Sequence, residues 1–160
     1  MLQNLRTSQY SQLPLASDGK LTKIYERLEP GQTPLMRGPE TLFFHDDGTM
    51  YATTENGNLV SFSDIQTESD GRQTVRVQKV KDLGRGRPMA GKFLGDTLYI
   101  ADAFQGLTRI QNVSDPHSNV EIVASSVLDD RVETPINLAD DVAVAPQSGM
   151  VYFTDGECST

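Results

Sequence analysis

The sequence predicts an all-β chain made of repeated antiparallel sheets, and three observations predict it. Short apolar runs alternate with Gly, Asn and Asp turn residues along much of the chain, the pattern of strands joined by tight turns. Three stretches can be laid over one another, each strand, turn, strand: GPETLFFHDDGTMYATTENGNLVSF from Gly38, GRPMAGKFLGDTLYIADAFQGLTRI from Gly86 and LADDVAVAPQSGMVYFTDG from Leu138. Tyr51, Tyr99 and Tyr152 recur at separations of 48 and 53 residues, the room needed for four short strands and their connections. Sheets of four strands repeated at that period are the blades of a β-propeller.

The first blade reads over residues 38–82. Thr41 to Phe44 is an apolar strand, His45-Asp46-Asp47-Gly48 is turn chemistry, and Met50 to Thr53 returns. Asn56-Gly57 supplies a second turn, since both residues tolerate positive φ, and Leu59 to Phe62 is the third strand. SDIQTESDGRQ reads as a polar loop leading to TVRVQKV, whose alternation suits a half-exposed outer strand. The second blade, 86–126, repeats the order with turns at Leu94-Gly95-Asp96 and Phe104-Gln105-Gly106 and with VEIVA from Val120 as its fourth strand. Residues 135–160 supply two strands of a third.

About two and a half blades cannot close a ring that needs about 4 to 8, so residues 37–160 read as an incomplete propeller and the chain as an N-terminal fragment of one. Such a chain is expected to leave sheet edges that favour self-association. Residues 1–36 form a separate N-terminal segment. Leu21, Ile24, Tyr25 and Leu28 fit helical spacing, yet a strand that joins a blade is equally compatible with this position.

With 160 residues and 37% hydrophobic content the chain can bury one modest core. Its net charge of −8, with basic residues scattered, argues against a surface built for nucleic acid. The N-terminal stretch has neither a signal-peptide apolar run nor a membrane-length apolar segment. The single cysteine, Cys158, has no second thiol to bond and no Cys or His neighbour for zinc, so the redox compartment stays open. Asn112-Val113-Ser114 is a glycosylation sequon that matters only in the secretory pathway.

Inner propeller strands all run the same way, so equivalent positions collect at one end of the channel. Aligning Phe44, Phe93 and Val144 brings Glu40, Met89 and Asp140 into register, each four residues earlier. Two carboxylates and a thioether then face a shared opening. Residue type alone also allows Glu40 as a turn-capping carboxylate and Asp140-Asp141 as a solvated pair. Asp102 and Asp155 each end a second strand and read as Asx turns. His45 in a hairpin turn and His117 in a polar loop have no partner at ligand or triad spacing, and both are expected to be exposed. Lys79, Lys81, Arg85 and Arg87 form a basic run before the second inner strand, either a solvated inter-blade loop or a lure for an anionic substrate.

The motifs GPETLFF, GRPMAGKFLGDTLYIADAFQGL and ADDVAVAPQSGMVYFTD resemble the strictosidine synthase-like / adipocyte plasma membrane-associated protein family over about residues 38–155, and more distantly the gluconolactonase and paraoxonase groups. The resemblance implies a six-bladed propeller with a small-molecule pocket at one end of its channel, and calcium or another divalent cation in that pocket. It implies a metal-ligand role for Glu40, which matches a glutamate of the related lactonases, and for Asp140, which stands where the family usually has Asn in an Asn-Asp pair. That departure adds a negative charge, which would tighten a cation or serve another purpose. The activity implied for the intact protein is metal-assisted hydrolysis of esters or lactones. An amine–aldehyde condensing lyase, whose glutamate belongs to a later blade, and a non-catalytic binding propeller are the alternatives. Catalytic residues are not assigned, and the family's usual place is the secretory pathway or a membrane.

Overall fold

A computed structural model describes residues 23–129 and 131–156, and these contain strands and turns but no helix. Three sheets carry the repeat. In the first, β1 (Ile24–Glu26), β2 (Pro39–Phe44), β3 (Met50–Thr54), β4 (Asn58–Thr67) and β5 (Gln73–Asp82) lie in the order β1-β5-β4-β3-β2. The second holds β6 (Pro88–Leu94), β7 (Thr97–Asp102), β8 (Gly106–Ile110) and β9 (Val120–Ala124) in sequence order. A hairpin of β10 (Ser126–Asp129) and β11 (Val132–Pro135) then leads to the third sheet, β12 (Ala139–Val144) with β13 (Val151–Asp155). From β2 to β5, from β6 to β9 and from β12 to β13, successive strands pair antiparallel, as direct connections allow.

The three sheets stand face to face in chain order, with β6 packed on β2 and β3 and β12 packed on β6 and β7. This is a partial β-propeller, and its repeat is visible in the backbone. The tyrosines hold one register position: Tyr51 pairs with Phe43, Tyr99 with Lys92 and Tyr152 with Ala143, each opposite the residue just before the aligned Phe44, Phe93 and Val144.

The core lies between the sheets. Phe43, Tyr51 and Leu59 of the first meet Phe93, Leu98, Ile100 and Ile110 of the second. Ala90, Ala101 and Leu107 meet Ile136, Ala139 and Val142 at the next junction. Leu59, Leu98, Ile100 and Ile110 are all but fully buried, and each such side chain contributes about 1.5–3 kcal/mol of transfer free energy. A third cluster, Ala52, Val60, Phe62, Val75 and Val77, lies on the far face of the first sheet, where Leu35 and Met36 cover part of it. Leu42, Phe44 and Ile65 stay exposed on the first sheet and Tyr152 on the third, so apolar surface is open at both ends of the row.

Four local features were left open by the sequence or differ from its expectation. The segment before the first blade, left open between helix and strand, forms a short strand at Ile24–Glu26: β1 runs parallel to β5 and extends the blade's outer edge, while Leu28 follows it outside any strand and Leu21 lies outside the described residues. The first part of the expected loop after Phe62, Ser63 to Thr67, is the second half of β4, and the loop itself is residues 68–72. Asp64 takes a left-handed φ of 55° at the register shift between Ser63 and Gln66, and Arg27, just past β1, holds its carboxylate at 2.7 Å and its carbonyl at 3.0 Å. That cation, with the Gln66 amide, keeps the Asp64 carboxyl below the usual carboxylate range. The β10–β11 hairpin was not foreseen, because Arg131 at φ 70° occupies the turn position where Gly or Asn would announce it. His45 is not an exposed bystander, as described below. Cys158 lies outside the described residues, and within them no helix is long and apolar enough to cross a membrane.

Candidate functional site

The inner strands β2, β6 and β12 begin at a common end and begin in the same way. Before each, the preceding residue's carbonyl accepts the N–H that follows the second strand: Glu55 to Gly38 at 3.1 Å, Ala103 to Arg87 at 2.9 Å, Gly156 to Leu138 at 2.8 Å. Immediately after, each pairing slips by one residue, between Pro39 and Leu42, between Pro88 and Ala90, and between Ala139 and Val142. The extra residue is a bulge, which bends a strand and re-aims a side chain. Glu40, Met89 and Asp140 all sit in these slipped stretches, each the second residue of its strand.

Their surroundings differ. Glu40 Oε1 accepts from Arg87 Nη2 at 3.1 Å, an ion pair across the first blade junction. Glu40 also lines an apolar groove of about 310 Å³ with Pro39, Leu42 and Met36 on the far face of the first sheet. Met89 is half-buried. Asp140 is exposed, and among the described residues it takes part in no ion pair.

A calcium ion takes about 6 to 8 oxygen ligands. Among the described residues no three His, Cys, Asp or Glu side chains gather closely enough to hold a metal, and one of the two expected carboxylates is engaged by a guanidinium. The described donor set therefore does not fit calcium by itself.

Asp102, at the end of β7, is in structural use and buried to 1% exposure. Its Oδ1 accepts the N–H groups of Arg87 at 3.0 Å, Phe104 at 2.9 Å and Gln105 at 3.0 Å, an Asx turn that also grips the start of the same blade. Its counterpart Asp155 accepts the Leu138 N–H at 3.1 Å. In the first blade the position is Thr54, whose hydroxyl serves the Asn56–Asn58 turn instead.

The basic run before β6 divides. Lys79 pairs with Asp82 at 2.9 Å. Lys81 reaches the β8–β9 loop, where its ammonium donates to the carbonyls of Asp115, Pro116 and Ser118 and to the Ser118 hydroxyl. Arg85 is exposed, and Arg87 lies at the common end of the inner strands beside Glu40.

His45 corrects an expectation. Its Nε2 lies 3.2 Å from Asp96 Oδ1 of the next blade, its Nδ1 lies 3.1 Å from Asp47 Oδ1, and its ring meets Phe93 edge-on at 4.8 Å. The hairpin turn was legible, but the neighbouring hairpin that partners it is 51 residues away in sequence. His117 is exposed, as expected.

Sheets of five, four and two strands, stacked in chain order with their inner strands beginning at a common end, define the class: a partial β-propeller. Residues 32–62, spanning β2, β3 and the first half of β4, match the family model described as strictosidine synthase-like, N-terminal. The match supports the strictosidine synthase-like family for this propeller. No curated protein matches the chain.

Proposed function

We propose that this strictosidine synthase-like propeller binds a small-molecule substrate at the common end of β2, β6 and β12 and hydrolyses an ester or lactone bond there. The observation that carries the reading is the threefold bulge, which puts Glu40, Met89 and Asp140 at one end of adjacent inner strands, within a chain whose residues 32–62 match the family model. Asp140 is exposed and without an ion pair among the described residues, so it is the carboxylate free to accept a proton from an attacking water.

The test is turnover of neutral aryl esters and lactones by the intact protein, wild type against Asp140→Asn. The expected result is hydrolysis that the substitution lowers by about 10²-fold or more in kcat. Condensation of an amine with an aldehyde in place of hydrolysis would replace this reading with the lyase one. Calcium enters the proposal only by displacing Arg87 from Glu40, so the result that admits it is a calcium-dependent rise in Tm that Glu40→Ala abolishes.

A further inference from the structure

The hydrolytic reading leaves Arg87 unexplained. Of the basic run, Lys79 and Lys81 are engaged by Asp82 and by loop oxygens, whereas the Arg87 side chain keeps half of its surface exposed and, among the described residues, pairs with Glu40. Its backbone is fixed at both ends: the N–H donates to Asp102 Oδ1 and the carbonyl accepts the Ala103 N–H.

The same Asp102 oxygen holds the Phe104 N–H, and its other oxygen accepts from the Gln105 side chain at 3.3 Å. There is no slack around this carboxylate, because a Cβ placed on Gly86 would overlap Asp102 Oδ2 and the Gln105 amide nitrogen. One buried carboxylate thus sets the backbone of a guanidinium and of a phenyl ring, and that ring is 71% exposed. A lone exposed Phe is ordinary. Here the backbone N–H of an exposed Phe is bonded to the same buried oxygen as that of an Arg, at the end where the inner strands begin, so the backbones that carry the two groups are tied together. Among the described residues the second blade alone has this arrangement, since the positions corresponding to Arg87 are Gly38 and Leu138.

We propose that Arg87 and Phe104 are a recognition pair for an organic anion with an apolar arm, the carboxylate binding the guanidinium and an aryl or alkyl group covering the ring. Glu40 occupies the guanidinium until the ligand's carboxylate replaces it. Asp102 is the positioning residue for both. The inference rests on the reading of this end as the ligand mouth, and it narrows the substrate class to anionic esters.

The experiment titrates the intact protein with 3-phenylpropionate and its neutral isostere 3-phenylpropanamide by calorimetry, for wild type, Arg87→Gln, Phe104→Ala and Glu40→Gln. All three substitutions replace side chains with exposed surface. The acid binds more tightly than the amide; Arg87→Gln weakens the acid by about tenfold or more and leaves the amide nearly unchanged; Phe104→Ala weakens both; Glu40→Gln tightens the acid. Equal affinities for acid and amide, or an Arg87→Gln protein that binds the acid like wild type, overturn the pair. Hydrolysis of phenyl acetate and of monophenyl succinate separates the two proposals. Binding that depends on Arg87 without turnover of either ester sustains the pair and removes the hydrolytic reading. Turnover indifferent to substrate charge and to Arg87→Gln does the reverse.

Discussion

His45 on the inner hairpin of the first blade sits 3.2 Å from Asp96 on the inner hairpin of the second, Nε2 to Oδ1, with the edge of Phe93 packed against its ring. Uncharged, the ring can donate from Nε2 to Asp96 and accept the Asp47 N–H at Nδ1, 3.3 Å away. Charged, it donates to both carboxylates, since Asp47 Oδ1 is 3.1 Å from Nδ1. The hydrogen bond to the Asp47 carboxylate foremost, opposed by burial and helped by Asp96, raises the His45 pKa above its ordinary 6.5.

A folded-state pKa above the unfolded one means that the folded protein binds the proton more tightly. The stabilisation is then complete below about pH 6.5 and is lost as pH rises through the folded-state value. Urea unfolding should therefore show stability falling as pH is raised from about 6.5 through that raised value. His45→Gln and Asp96→Asn should flatten this slope, and a wild-type profile with no slope there would contradict the ion-pair account. Asp47, held low by the Thr49 backbone and side chain, and Asp64, held low by Arg27, act at the acid end instead: their contribution is present above 3.8 and lost as pH falls through their depressed values.

Replacing Asp102 tests the junction that carries Arg87 and Phe104. Asp102→Ala leaves the N–H groups of Arg87, Phe104 and Gln105 without their acceptor in a site of 1% exposure. The expected loss is about 3 kcal/mol in urea unfolding, with Asp102→Asn, which keeps one acceptor oxygen, costing about 1 kcal/mol. An Asp102→Ala protein as stable as wild type would mean that those donors find other partners.

Much of the architecture was legible because a repeat turns spacing into position. The tyrosine landmarks, the Leu94-Gly95-Asp96 turn and the strand Val120–Ala124 follow from alternation and turn chemistry, which are local. So did the common level of Glu40, Met89 and Asp140, which depends only on equivalent positions in successive blades. What the sequence concealed lies between blades or in backbone that no Gly announces. The Arg87–Glu40 and His45–Asp96 pairs join residues 47 and 51 apart, and no periodicity says which side chains of adjacent sheets meet. Asp64 and Arg131 adopt left-handed φ without being Gly or Asn, so one strand was cut short and one hairpin missed. For Asp102 the Asx turn was readable, and its grip on Arg87 required coordinates.

Gly91 is glycine because of Phe43. A Cβ at Gly91 would lie 2.6 Å from Phe43 Cζ and 2.7 Å from Cε1, and the ring has little room to retreat, being 6% exposed and in contact with Tyr51 and Phe93. Overpacking of this kind costs about 1–3 kcal/mol. Gly91→Ala should lose that much, and Phe43→Leu, costly in the wild-type background, should cost less beside Gly91→Ala because the added methyl fills the space it vacates. A double-mutant cycle measures the coupling, and strict additivity would show that the two do not press on each other.

Thr53 presents the opposite case, a polar atom buried without a use. It is fully buried in β3, and its Oγ1 has no hydrogen-bond partner. The equivalent residue of the second blade is Ala101, and that of the third is Thr154, whose hydroxyl accepts the Asp141 N–H at 3.0 Å. In the first blade the hydroxyl is thus desolvated and nothing is returned for it, which costs about 1–3 kcal/mol relative to a satisfied group. Val has nearly the same shape, keeps the β-branch that suits a strand and removes the unmet hydroxyl. Thr53→Val is expected to raise stability by about 1 kcal/mol, seen as a Tm increase of about 2–4 °C in a calorimetric scan. Thr154→Val removes a hydroxyl that has a donor to receive and should lower Tm. If Thr53→Val also lowers it, the hydroxyl is bonded after all, to a water buried at the first blade junction.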